Sequence, residues 1–138
     1  MESPPFARGA GAGVAGRAGH TAAVEILRLV FLYAHLIGFA LLLGGGAAQY
    51  FSGHIRINQA MLYGAITQLV TGAVLASPIR DDPATEPEPA KLAVKGVIAI
   101  MIFAMTFFSR KRDEVNRGHF LAIIGLTLVN AAVATFWR

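Results

Sequence analysis

The residues able to do chemistry in this chain lie where charge is scarce. From Leu29 to Gly53 the sequence reads LVFLYAHLIGFALLLGGGAAQYFSG, without Asp, Glu, Lys or Arg, and His35 is its one deeply placed ionisable group. Other apolar stretches hold Lys95, Gln68, Thr71 and Asn130, and Arg28 lies just before the first. An imidazole in hydrocarbon can carry a proton or ligate a metal, and an ammonium can hold an anion, so an ionisable residue within a membrane is a candidate functional group. The same residues also have a structural reading. Gln68, Thr71 and Asn130 are interhelical glue, His35 is a neutral histidine bonded to one of them, and Lys95 snorkels to the interface. Spacing alone leaves both readings open.

Positioning these groups requires long apolar elements. An apolar run of this length matches the roughly 20 residues that cross a hydrocarbon layer about 30 Å thick. Comparable stretches follow, giving spans at about 27–51, 57–77, 91–109 and 118–137. Thr21 can cap the first helix, with Glu25 in its first turn. Pro78 stops the second, and Arg110, Lys111 and Arg112 end the third. Short links between spans imply an all-α, integral membrane four-helix bundle, up-down-up-down, with both termini on one side.

Depth along each span brings the polar residues to one level. At 1.5 Å per residue His35 lies roughly 9 Å in from Leu29, Gln68 and Thr71 roughly 10 to 15 Å before Pro78, and Asn130 roughly 12 Å before Arg138. Lys95 sits one turn inside the third span. Each polar residue also belongs to a helical stripe: Arg28, His35, Gly38, Leu42 and Gln49; Gly64, Gln68, Gly72 and Ala76; Lys91, Lys95, Ala99, Ile102 and Thr106; His119, Ile123, Thr127, Asn130 and Ala134. The second is a small-xxx-small ridge that admits a close neighbour. Because unpaired polar groups are costly in hydrocarbon, the four stripes are expected to face inward as one polar layer.

Composition narrows the remaining classes. The chain has 138 residues, of which 55% are hydrophobic and 14% charged, with a mean hydropathy of +0.57. That lies outside the usual range for a soluble domain. The absence of cysteine excludes disulfides, thiolate metal sites and Cys nucleophiles. The net charge of +4 collects at span ends, so it reads as topology and headgroup contact rather than nucleic-acid binding. His20, His54 and His119 lie in the tail or at interfaces, and two imidazoles meeting on the loop side make no metal site by themselves. The Gly/Ala/Pro-rich residues 1–20 read as a disordered tail. Their Gly11, Gly13 and Gly16 spacing imitates a dinucleotide fingerprint, but no strand precedes it. Residues 78–89, PIRDDPATEPEP, read as an extended acidic connector. Arg17 and the small residues at 46–48 resemble signal-peptide features, but the apolar region is too long for an h-region, so the first helix is expected to be retained. Arg56, Arg110, Lys111, Arg112 and Arg117 place the first and third loops in the cytoplasm and both termini outside the cell membrane.

Short motifs carry a family resemblance. The phrases AHLIGFALLLGG around His35, the pair Thr71–Gly72 and KLAVKG at the third span are similar to small four-helix membrane families that include copper-resistance D domains and HemJ-type protoporphyrinogen oxidases. Leu42 stands where the phrase resembling HLxGxxxWxGG has Trp. The composition also resembles that of actinobacterial integral membrane proteins. The HemJ likeness implies a functional first-helix His and third-helix Lys, which map onto His35 and either Lys91 or Lys95. It further implies haem as cofactor, with His35 as axial ligand or proton acceptor and Lys95 or Arg28 beside a propionate. A copper site needs more soft ligands than Met61, Met101 and Met105 provide. Transport is a second class. No carboxylate lies deep in the spans, so the expected form is a homo-oligomer with Lys95 lining an anion path. A structural or accessory subunit, whose partners are the bilayer, further copies or a larger membrane complex, is the third, and it needs no site.

Overall fold

Four long apolar stretches separated by Pro-, Gly- and Asn-containing links become four helices in the computed structural model, which describes residues 10–77 and 88–137. They are α1 (Ala10–Ser52), α2 (Gln59–Ala76), α3 (Pro89–Ser109) and α4 (Arg117–Phe136). Each is long and apolar enough to cross a membrane. Only 11% to 28% of each span's most apolar window is buried inside the protein. Most of the apolar surface therefore faces outward, where hydrocarbon rather than water is the fitting solvent.

Local chemistry sets the ends. Asn58 caps α2 by accepting the Met61 N–H at 2.8 Å, and its own amide donates to Gly45 O at 3.1 Å, which pins the start of α2 to α1. Ser77 closes α2 through N–H to Val74 O, and Pro89 opens α3 at its first turn. Asn116 caps α4 through the Gly118 N–H. The start of α1 corrects the sequence reading. The tail expected to be disordered over 1–20 is helical from Ala10, and Thr21 is no cap, because its hydroxyl donates back to Arg17 O and Ala18 O from mid-helix. Once a span has nucleated, each added residue gains a hydrogen bond without a new nucleation cost. The Gly/Ala stretch between Ala10 and Thr21 contains no proline to stop it. Residues 1–9 of that tail, and 78–87 of the acidic connector, lie outside the described residues.

Packing runs α1 on α2, α2 on α3 and α3 on α4, with a lighter closing contact of α4 on α1. The tightest seam is α1–α2. A Cβ added at Gly64 would lie 2.6 Å from Leu42 N and 2.7 Å from Gly38 O, so only glycine lets these two backbones meet. Leu42, Met61, Ala65, Ile102, Phe120 and Ile123 form the core around it. On one side of the bundle the two short loops are joined by a backbone bond from Val115 N–H to Ile55 O at 2.9 Å. At the opposite end Lys91 donates to Trp137 O, and Trp137 Nε1 donates to Glu88 at 3.0 Å, tying the start of α3 to the end of α4. The two knots mark the two faces of an up-down-up-down bundle.

Candidate intramembrane polar site

Residues at one level of α1 and α2 build a compact polar cluster. His35 is half-buried, its ring packed over Gly72, where an added Cβ would lie 3.4 Å from His35 Cε1. Its Nδ1 is 2.8 Å from Thr71 Oγ1, and the buried Thr71 hydroxyl is also within hydrogen-bond distance of Thr67 O. A hydroxyl has one proton and the Thr67 carbonyl can only accept, so Thr71 donates to Thr67 and accepts from His35. Nδ1 therefore carries the proton, and Nε2 of the neutral ring keeps its lone pair. Gln68 completes the cluster by donating Nε2–H to the backbone carbonyl of His35 at 2.6 Å.

The other helices contribute unequally. Lys95 on α3 is half-buried and close enough for its charge to act on His35. Lys91, one turn earlier, is engaged with the end of α4. That contact suits the negative end of a helix, whose last carbonyls lack intrahelical donors. Arg28 is exposed on α1, two turns from His35, and does not join the cluster. Asn130 is half-buried but makes no hydrogen bond to His35, Gln68 or Thr71, and its carbonyl oxygen is buried without a partner among the described residues. The stripes face inward in their central parts: Gly38, Leu42, Gly64, Ile102, Thr106, Ile123 and Thr127 are buried. Thr106 and Thr127 satisfy their hydroxyls on carbonyls one turn back in their own helices. His54 is exposed in the first loop, and His119 Nε2 lies 2.9 Å from Ser109 Oγ, so the two imidazoles have separate surroundings. Among the described residues no group of three or more His, Asp or Glu gathers as metal ligands.

Two features escaped the sequence reading. The Lys91–Trp137–Glu88 knot joins residues at opposite ends of the α3–α4 pair, and their shared depth at one bundle end was the available signal. Gln49 belongs to the α1 stripe, but nothing local showed that its carbonyl oxygen is buried without a partner.

Chemically, the cluster offers an imidazole whose Nδ1 is oriented by the Thr71 hydroxyl, whose Nε2 has no hydrogen-bond partner among the described residues, and whose nearest cation is Lys95. An oriented neutral imidazole of this kind suits metal ligation or proton acceptance. The fold and site together define an all-α, four-helix bundle of the membrane-spanning type with a His-centred polar layer between its first two helices. No protein-family model matches the chain, and neither does any curated protein or solved structure.

Proposed function

We propose that this chain is a multi-pass protein of the cell membrane, both termini outside, that serves as a structural or accessory subunit. One observation carries the reading. The polar layer's hydrogen bonds, His35 to Thr71 and Gln68 to the His35 carbonyl, both run between α1 and α2 and so hold the bundle together. The test is native electrophoresis of mildly solubilised membranes, comparing the natural chain with Lys95→Met. Migration in an assembly larger than the monomer, unchanged by the substitution, supports the subunit role. Migration as a monomer, together with a Lys95→Met cell that loses solute flux or a bound chromophore, overturns it.

A second reading is favoured by Nε2 of His35, which has no hydrogen-bond partner among the described residues. Its donor chemistry fits haem iron, with Thr71 fixing the ring and Lys95 beside a propionate. A bound haem would supply one-electron chemistry. His35 would hold it, and the α1–α2 seam, closed by Gly38 and Gly64, would back the imidazole. Absorption spectra of the purified chain with added haemin, before and after dithionite, decide this reading. A Soret band that His35→Ala abolishes supports it, and a spectrum that is the sum of free haemin and protein removes it.

A further inference from the structure

At the loop end of the bundle, far from His35, lies a second polar cluster with different chemistry. A cavity of about 560 Å³ opens between the end of α1, the start of α2 and the end of α3, and its wall includes Gln49, Arg56, Asn58, Gln59, Arg110 and Lys111. Three of these are cations, from two separate segments, and no carboxylate lines the cavity. Arg110 is held in place, its guanidinium 3.6 Å above the Phe107 ring and its Nη1 donating to Phe107 O at 3.3 Å. Arg56 and Lys111 are exposed arms.

One further donor refines the ligand. Asn58 takes up the Met61 N–H at the start of α2, while helix geometry gives the N–H of Gln59, which lines the cavity, no intrahelical acceptor. Such a helix start adds its positive end to the cations. Cations on separate segments suit an anion with several oxygens in different directions, as phosphate has, and guanidinium groups pair with phosphate in bidentate fashion. The cavity also exceeds what a bare ion needs. Phe107 lies under the lining Arg110, and Tyr50, Phe51 and Phe108 sit at the same helix ends, as in the aromatic belt that marks the headgroup level of a bilayer.

We propose that this cavity binds a phosphate group, supplied by an anionic glycerophospholipid headgroup or by a soluble phosphate monoester. Arg56, Arg110, Lys111 and the α2 start hold the phosphate. The experiment is native mass spectrometry of the full chain released from nanodiscs of equal phosphatidylglycerol and phosphatidylcholine content. The natural chain retains phosphatidylglycerol over phosphatidylcholine by about tenfold or more. R56Q/R110Q/K111Q brings the ratio near one, and R112Q, whose side chain does not line the cavity, leaves it unchanged. Displacement of the lipid by millimolar glycerol 3-phosphate assigns a soluble source, and resistance to it assigns the lipid. Circular dichroism checks that each variant keeps its helix content, and if the triple variant does not, the exposed-site variant K111Q carries the comparison. Equal retention of both lipids by the natural chain, or undiminished selectivity in the folded charge variants, overturns the proposal.

Discussion

The assignment of the His35 proton to Nδ1 has a measurable energetic consequence. If Thr71 Oγ1 accepts from Nδ1–H across the 2.8 Å contact, then His35→Leu and Thr71→Val must be coupled. Hydrogen bonds between membrane helices average about 0.6 kcal/mol in double-mutant cycles and reach about 1.7 kcal/mol. A half-buried donor left unpaired raises the cost of the single changes, so the coupling here is expected near 1 kcal/mol. Gln68 supplies an internal control. Its amide bonds to the His35 backbone carbonyl, not to the ring, so Gln68→Leu destabilises on its own but adds independently to His35→Leu. The assay is reversible unfolding in mixed micelles, titrated with denaturing detergent, on the single and paired variants. Additivity of the His35–Thr71 pair within about 0.3 kcal/mol, or a coupling for His35–Gln68 as large as for His35–Thr71, would refute the geometry. The imidazole 15N shifts give an independent reading, with the proton on Nδ1 in the natural chain.

Three further outcomes are expected. Gly64→Ala should destabilise by about 2 kcal/mol or more, because its methyl meets backbone atoms of Leu42 and Gly38, whereas Gly125→Ala, with nothing within 4 Å, should be close to neutral; detergent unfolding of both variants checks this. Asn130→Leu should be neutral or stabilising by up to about 1 kcal/mol, since it removes an acceptor that is buried without a partner, and a clear loss of stability in the same assay would show that the carbonyl is paired. Amide exchange should divide α1 in two, with residues 13–23, which are exposed and lie beyond the packed seam, exchanging well ahead of residues 38–46.

The four spans were legible because an unbroken apolar run is a one-dimensional signal that needs no partner to be read. The meeting of His35 with Gln68 and Thr71 was also within reach, because antiparallel helices of known rise put equal depths side by side. Depth does not fix rotation, however. Arg28 shares the His35 stripe yet ends up exposed where α1 outruns its neighbours, and Asn130 shares the level but finds no donor. The start of α1 was hidden for a different reason. Apolar periodicity reports a face that packs, and residues 13–23 form helix while remaining exposed. The loop-side cavity depends on three segments converging, which no local pattern encodes.

The length of α1 makes it a lever. Its backbone meets α2 closely at Gly38 and Leu42, against Gly64, and Ala10 lies 28 residues from Gly38, about 42 Å along the axis. With Gly38 as fulcrum, a tilt of about 10° swings the far end by roughly 7 Å, while His35, about 4.5 Å from the pivot, shifts by less than about 1 Å. The arm ratio is near nine to one. For a rigid α1, a displacement of the far end would therefore reach the His35–Thr71 contact reduced about ninefold.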